Sequence, residues 1–243
     1  MKNKTIEKLK SKKIKMKCLL TLFLFISSGL TAFAQKSVVA DALSKHGIDQ
    51  SVLEPANLKV PDDYSYTVKE STTTNGKTKV IVAKFDPAQS GDEQWTVIAV
   101  NDNPPSKSDI NSFRKAKAKK QTVTKPDDAS YKIEKEEADQ IVFSYKADAS
   151  AVPKDAEFLK DCRVFVTINT KTKQPELQQV RNEKPVKLGP LKADRFEVVT
   201  NFTKRDPGAR YFPTSENVTM ESKFLGQAVS VQTANEYSNY TKK

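Results

Sequence analysis

The feature of this sequence that most restricts its fold is the way prolines divide runs of alternating apolar and polar residues. All 12 prolines lie after residue 34, and nearly all stand where the apolar pattern breaks. Proline cannot donate to a β-ladder or continue a helix, so prolines at these places separate short elements. The runs between them mostly alternate with a period of two, which is typical of strands in an antiparallel sheet.

The clearest hairpin lies in YSYTVKESTTTNGKTKVIVAKF, where Asn75 and Gly76 separate two alternating runs. A type I′ turn needs positive φ angles at two positions, and Asn-Gly tolerates this well. Further hairpins are predicted from SYKIEKEEAD with QIVFSYKAD, CRVFVTI with PELQQVRN, and ADRFEVVTNFTKRD with ARYFPTSENVTMESKFL; GQAVSVQTANEYSNY supplies a closing strand. Sequential hairpins predict an antiparallel sheet of about nine or ten strands, too long to stay flat and uncovered.

Short helices are predicted between these strands, which makes the fold class α+β. The first covers residues 37–45 and ends at Gly47. The second runs from Ser108 to about Lys119, with Ser106 or Ser108 as its cap. The third is PKDAEFLKD, which opens with a proline at the first helical position.

The strand QWTVIAV and the NDNPP that follows it form a joint between sheet and helix. Trp95, Val97 and Ala99 are expected on one face of this strand, and Ile98 and Val100 on the other. Because both faces are largely apolar, we expect the strand to be covered on both sides. In the later hairpin, one face is expected to join residues from two strands: Phe196, Val198, Thr200 and Phe202 with Val218, Met220 and Phe224.

Residues 1–34 resemble a leader for export rather than part of the fold. A lysine-rich start is followed by CLLTLFLFISSGLTAFA, and the small-x-small sequence AFA predicts cleavage after Ala34. The apolar run is short and broken for a bilayer-spanning helix, so a retained anchor is the alternative. Translation from Met16 would leave a shorter leader of ordinary shape. The prediction is an exported protein, periplasmic or secreted, of a Gram-negative bacterium, with one domain over residues 35–243.

The charge and cysteine content of residues 35–243 exclude several classes of protein. Residues 1–34 hold eight lysines and one glutamate, so the remainder carries 33 basic and 29 acidic residues and a net charge of +4. This mild excess indicates no nucleic-acid partner. Cys162 is the one cysteine left after cleavage, which excludes an intramolecular disulfide. We expect a monomer.

The sequence contains no recognisable catalytic set. His46 is the sole histidine and stands beside Gly47, where helix capping explains it, and no G-x-S-x-G motif accompanies it. Cys162 begins an apolar strand, where a free cysteine packs as a small apolar residue. No zinc spacing, calcium loop or phosphate-binding glycine loop is present, so we expect no metal and no cofactor. A hydrolase that uses two of the many carboxylates is the enzyme alternative.

Two groups of residues are candidates for contact with other molecules. Aromatic residues on apolar faces are either core or the lining of a groove between sheet and helices, a common design for apolar ligands: Trp95, Phe113, Phe143, Tyr145, Phe158, Phe165, Phe196 and Phe202. The basic end of the second helix is either a solvated helix terminus or a surface for an envelope partner: Arg114, Lys115, Lys117, Lys119 and Lys120.

The order of elements resembles the lipoprotein-localisation (LolA/LolB-like) half-barrel superfamily of Gram-negative envelopes. Three segments, at residues 85–118, 158–187 and 230–240, are more closely similar to a family of uncharacterised secreted bacterial proteins. The resemblance implies an open, curved half-barrel with helices on its concave side, and it supplies no catalytic residues. NDNPP replaces the glycine-containing turn that this family would have after the strand.

These observations lead to two main hypotheses of function. The first is a binding or carrier module for an apolar or amphipathic ligand, such as an acyl chain, a lipid or a lipoprotein. The second is an envelope scaffold with a filled core, which contacts a protein partner through the basic helix end.

Overall fold

The computed structural model describes residues 34–118, 123–189, 191–204, 210–224 and 227–242. The predicted leader, apart from Ala34, therefore lies outside the described residues. Within these residues the α-helices are α1 (Ala34–Lys45) and α2 (Lys107–Lys117). Short 3-10 helices lie at Gln50–Leu53, Pro55–Leu58, Gly91–Gln94, Asp128–Ser130 and Lys154–Asp161. No helix in the described part of the chain combines the length and hydrophobicity needed to cross a bilayer.

The strands form one antiparallel sheet. They are β1 (Tyr64–Thr74), β2 (Lys77–Phe85), β3 (Trp95–Val100), β4 (Lys132–Glu136), β5 (Gln140–Tyr145), β6 (Cys162–Asn169), β7 (Gln174–Asn182), β8 (Val186–Leu188), β9 (Leu191–Lys204), β10 (Tyr211–Phe224) and β11 (Gln227–Lys242). Their order in the sheet is β3-β2-β1-β11-β10-β9-β7-β6-β5-β4, and β8 pairs with β9 beside this path. The sheet stays open, which confirms the predicted α+β class, and the described part of the chain supplies eleven strands where nine or ten were expected.

Local signals placed most of the turns and helix ends correctly. Asn75 and Gly76 have φ angles of 49° and 79°, as a type I′ turn requires. Gly47, at φ 65°, follows the end of α1. Ser106 caps α2 by accepting a hydrogen bond from the Asp109 backbone N–H, and the Asp109 side chain accepts from the Ser106 backbone N–H, so the pair forms a capping box.

Two local predictions are wrong in detail. Strand β3 is not covered on both sides, because it lies at the edge of the sheet and leaves Ile98 52% exposed. The segment after Pro153 is a 3-10 helix rather than an α-helix, with a kink at Ala156, and Pro153 precedes its first residue. The predicted pairing within the β9–β10 hairpin is confirmed in register: Val218 lies opposite Val198, and Met220 opposite Phe196. The Phe224 side chain lies outside the described residues.

Both α-helices lie on the same face of the sheet, which we call the helix face. Directly opposed residues of antiparallel strands point to the same side, so the register can be followed from strand to strand. Under α1, Val39 and Leu43 pack on β5 and β6 in a core that includes Phe143. Under α2, Phe113 packs on β1 to β3 in a second core. Between these two cores, the middle of the helix face is formed by β6, β7, β9 and β10.

Candidate functional site

A row of polar side chains crosses the middle of the helix face. The register places one such residue on each of five neighbouring strands, from β1 through β11, β10 and β9 to β7: Glu70, Asn235, Glu216, Thr200 and Gln178. Thr200 and Asn235 are only 6% and 5% exposed. Polar groups are buried at a cost unless they are hydrogen-bonded, so the buried members of this polar row need hydrogen-bond partners.

A row of valines runs beside the polar row on the same face. Its members lie opposite one another on β6, β7, β9 and β10: Val164, Val180, Val198 and Val218. All four are half-buried, and all four line a cleft. Four adjacent strands span three spacings of about 4.8 Å, so this valine row is an apolar floor roughly 14 Å long.

The cleft above these rows has a volume of about 440 Å³. Its floor holds the valine row and three members of the polar row, namely Gln178, Thr200 and Glu216. One wall is the segment at residues 55–60, and another is the 3-10 helix Lys154–Asp161, which contributes Phe158 and Leu159. The volume falls within the range of small-molecule sites, roughly 300–1,000 Å³.

The connection between β3 and β4 passes over the helix face. These strands form opposite edges of the sheet, so residues 101–131 join the two edges. This connection includes α2 at one end, and farther along it Val123 and Thr124 line the cleft. Pro126 then bridges to Ala147 beside β5. The cleft is therefore bordered by a connection whose first part is the capped helix α2.

Glu216 is the carboxylate of the polar row that lines the cleft. It accepts a hydrogen bond from Asn235 Nδ2 at 3.1 Å and another from the Tyr237 hydroxyl. Part of its surface opens to the cleft, but desolvation by the surrounding protein raises its pKa above the usual value. The nearby Glu70 charge adds to this increase, while Lys117 opposes it. Burial and Glu216 in turn raise the pKa of Tyr237 well above its usual value.

The eight aromatic residues predicted to line a groove lie in different places. Three of them line the cleft: Tyr145, Phe158 and Phe196. Tyr145 also belongs to the core under α1, and Phe158 and Phe196 pack against a third cluster around Cys162 and Val186. Four others lie in the cores under the helices: Phe143 and Phe202 under α1, Trp95 and Phe113 under α2.

Phe165 lies on the opposite face of the sheet. The register pairs Phe143 with Val166, so the neighbouring Phe165 points away from the cleft. There its ring packs against the guanidinium of Arg181, 4.2 Å from the ring centroid. The expectation that Phe165 faces the same groove as Phe143 is therefore wrong.

The basic end of α2 is partly engaged with the sheet rather than free. Arg114 Nε donates a hydrogen bond to the Trp95 carbonyl at 3.0 Å. Lys117 Nζ lies 2.7 Å from Glu70 Oε2 and also packs over the Trp95 and Phe113 rings. Lys115 is exposed. Lys119 and Lys120 lie outside the described residues.

His46 and Cys162 are both held in structural contacts. The His46 ring hydrogen-bonds Glu136 at 3.1 Å, beside the ion pair of Lys45 with the same carboxylate. Cys162 is buried at the end of the cleft, and its thiol donates to the Phe158 carbonyl. Burial raises the pKa of this thiol to about 12. Within the described residues, no group of three potential metal ligands is close enough to hold an ion.

The polar row, which places three of its five members on the cleft floor, was not identified from the sequence. Its members come from positions 70, 178, 200, 216 and 235, and each looks like an ordinary polar residue of an alternating strand. The sequence contains only part of the signal. Alternation along β10 and β11 places Glu216 and Asn235 on the face opposite to that of their immediate neighbours. The strand register is needed to bring the five residues together.

Comparisons with known proteins identify no family for this chain. No family model matches the sequence, and no curated protein matches it. A DUF1329 family protein from Desulfovibrio piger is similar in structure, with 13% identity over 79% of this chain and 90% of that chain and a TM-score of 0.37. A likeness at that score carries no argument about function. None of these comparisons links the chain to the lipoprotein-localisation superfamily, so that resemblance stays a prediction.

Proposed function

We propose that this protein is a non-catalytic binding or carrier module for an amphipathic ligand with an acyl chain or a similar apolar body. The observation that carries the proposal is the cleft of about 440 Å³ whose floor combines the valine row with three polar side chains. Ligand sites are typically concave and mostly apolar, with a few polar groups that fix orientation. The cleft has this composition.

The position of the cleft also supports binding rather than a purely structural role. The two cores under α1 and α2 fill the ends of the helix face with tightly buried side chains. The valine row between them remains half-buried. Burying apolar surface stabilises a complex by about 25 cal/mol per Å², so a chain laid on this floor gains free energy that the free protein lacks. A scaffold with a filled core offers no such surface.

An envelope location belongs to the same proposal. The leader predicted over residues 1–34 and the resemblance to lipoprotein carriers both favour an exported protein that handles an acyl chain, a lipid or a lipoprotein. A hydrolase that uses Glu216 and Asp155, the two carboxylates of the described cleft lining, is the enzyme alternative. Intact-mass measurement after expression in a Gram-negative host tests the predicted cleavage, because a protein cut after Ala34 has the mass of residues 35–243.

Titration with a fluorescent acyl probe tests the binding proposal. Val198→Asp places a charge in the middle of the cleft floor, and Val199→Asp places the same charge on the same strand but on the opposite face. We expect the wild type and Val199→Asp to bind the probe and Val198→Asp to lose binding at least tenfold. Equal binding by both variants would place the probe elsewhere. Phe143→Asp is a poor test, because Phe143 is completely buried in the core under α1.

A further inference from the structure

Charge balance within the polar row distinguishes its two carboxylates. The Lys117 ammonium lies 2.7 Å from Glu70 Oε2, so the charge of Glu70 is neutralised by helix α2. In the described part of the chain, Glu216 forms no ion pair with a lysine, arginine or histidine. Its hydrogen bonds come from the neutral donors Asn235 and Tyr237. Among the described residues, Glu216 is therefore the carboxylate of the row without a direct ion pair, and it is the one that lines the cleft.

The rest of the cleft lining does not supply that cation. Lys59 is the lysine among the lining residues, and its ammonium lies 2.8 Å from Asp62. Asp155 adds a second carboxylate to the wall. The described lining thus has two carboxylates and one ammonium that is already paired, so a positive charge brought into the cleft meets an uncompensated negative one.

The other polar groups near Glu216 can accept hydrogen bonds from a charged donor. The Thr200 hydroxyl and the Gln178 side-chain amide line the cleft beside it, and each carries an oxygen that can accept as well as a group that can donate. A quaternary ammonium has no N–H and cannot donate a hydrogen bond to the Glu216 carboxylate. A primary or secondary ammonium group matches a carboxylate among oxygen acceptors, and its hydrogen bond to that carboxylate is charge-assisted.

We infer that the ligand of this cleft is a cationic amphiphile: an apolar chain on the valine row with a protonated primary or secondary amine beside Glu216. This inference rests on the proposed binding function and names the chemical class of its ligand. Glu216 is then the residue that selects the head group, while the valine row accepts the chain.

Three probes with the same chain and different head groups test the inference. Dodecylamine is cationic, dodecanol is neutral and dodecanoic acid is anionic, and each is used to displace the fluorescent acyl probe from protein produced from the full chain. We expect dodecylamine to bind at least about tenfold more tightly than dodecanol, the ratio that a charge-assisted hydrogen bond provides. Dodecanoic acid is expected to bind most weakly.

The variant Glu216→Gln keeps the shape of the side chain and removes its charge. We expect it to abolish the preference for dodecylamine over dodecanol, with both affinities measured on the same variant protein. The control Glu221→Gln removes a carboxylate from the same strand on the opposite face, and it should preserve the preference. Equal or tighter binding of dodecanol or dodecanoic acid by the wild type, or a preference that survives in Glu216→Gln, would overturn the inference but leave the binding proposal intact. If none of the three amphiphiles binds the wild type or displaces the fluorescent acyl probe, both the inference and the binding proposal are overturned.

Discussion

The ammonium of Lys117 lies 2.7 Å from the carboxylate of Glu70, and this ion pair joins the last turn of α2 to the polar row on the sheet. The same ammonium lies over the Trp95 and Phe113 rings, so Lys117 makes cation–π contacts as well as the ion pair. The pair fixes the start of the connection that borders the cleft. It also leaves Glu216 as the carboxylate available to a ligand.

Replacing Lys117 with methionine should test the contribution of its charge. Lys117→Met retains an apolar stem over the rings but leaves Glu70 partly buried without its cation. Because both side chains are mostly shielded from water, we expect a loss of about 1–2 kcal/mol in the free energy of unfolding, more than for an exposed pair. Urea denaturation measures it. Lys115→Met makes the same change at an exposed position of α2 and should cost less than about 0.5 kcal/mol; equal losses in both variants would show that the ion pair contributes nothing.

The raised pKa of Glu216 predicts how stability depends on pH. Desolvation, the largest cause, raises the folded-state pKa above the usual 4.5, so the folded protein holds this proton to higher pH than the unfolded chain does. The group's contribution therefore becomes less favourable as pH rises from about 4.5 through the folded pKa. Glu70, Lys117 and Tyr237 are the ionisable groups that face it.

Glu216→Gln removes this titration. We expect the variant to match the wild type near pH 4 and to exceed it in stability by an amount that grows above about pH 4.5 and levels off above the folded pKa, as measured by urea denaturation from about pH 4 to 8. Glu221→Gln, on the exposed face, should show no such trend. A stability difference that stays constant or shrinks with rising pH would contradict the assignment of Glu216 as a carboxylate destabilised by burial.

The capping box of α2 makes a prediction that distinguishes two neighbouring serines. Ser106 accepts the Asp109 N–H, whereas Ser108 lies within the first turn of the helix. We expect Ser106→Ala to lower the free energy of unfolding by about 1 kcal/mol and Ser108→Ala to leave it unchanged or slightly higher. Thermal and urea unfolding of the two variants check this. A larger loss for Ser108→Ala would mean that the helix begins at a different residue.

Parts of the fold that depend on residues close together in sequence were predicted, and parts that depend on residues far apart in sequence were not. The turn at Asn75 and Gly76 and the cap of α2 were predicted because each depends on a few adjacent residues. The insertion of β11 between β1 and β10 was not, because pairing over that separation leaves no local pattern. The same reason hides the polar row, in which Glu70 and Asn235 meet only through this pairing.

Strand β6 shows a second cause of error. Val164, Phe165 and Val166 are consecutive apolar residues, so alternation does not determine which of them face the helices. A shift of one residue in such a strand exchanges the two faces. The structure settles the choice through the register with β5, and it places the aromatic residue outside and the two valines inside. Neither composition nor periodicity contains that information.

The thiol of Cys162 is expected to be inert in the folded protein. Burial raises its pKa to about 12, and the thiolate is the reactive form. At about pH 8 we expect alkylation of this residue by iodoacetamide to be at least a hundredfold slower in the native protein than in urea, since the thiolate fraction falls by more than that factor. Peptide mass analysis distinguishes Cys162 from Cys18. Rapid native alkylation would mean that this end of the cleft opens widely to water.

Native mass spectrometry of protein purified without detergent tests the central claim most directly. The wild type, Val198→Asp and Val199→Asp are prepared in parallel from one host, and a solvent extract of each is analysed beside its native spectrum. The account predicts a bound amphiphile on the wild type and on Val199→Asp, and a bare mass for Val198→Asp. Three bare masses, together with no uptake of an added acyl probe by any of the three proteins, would contradict it.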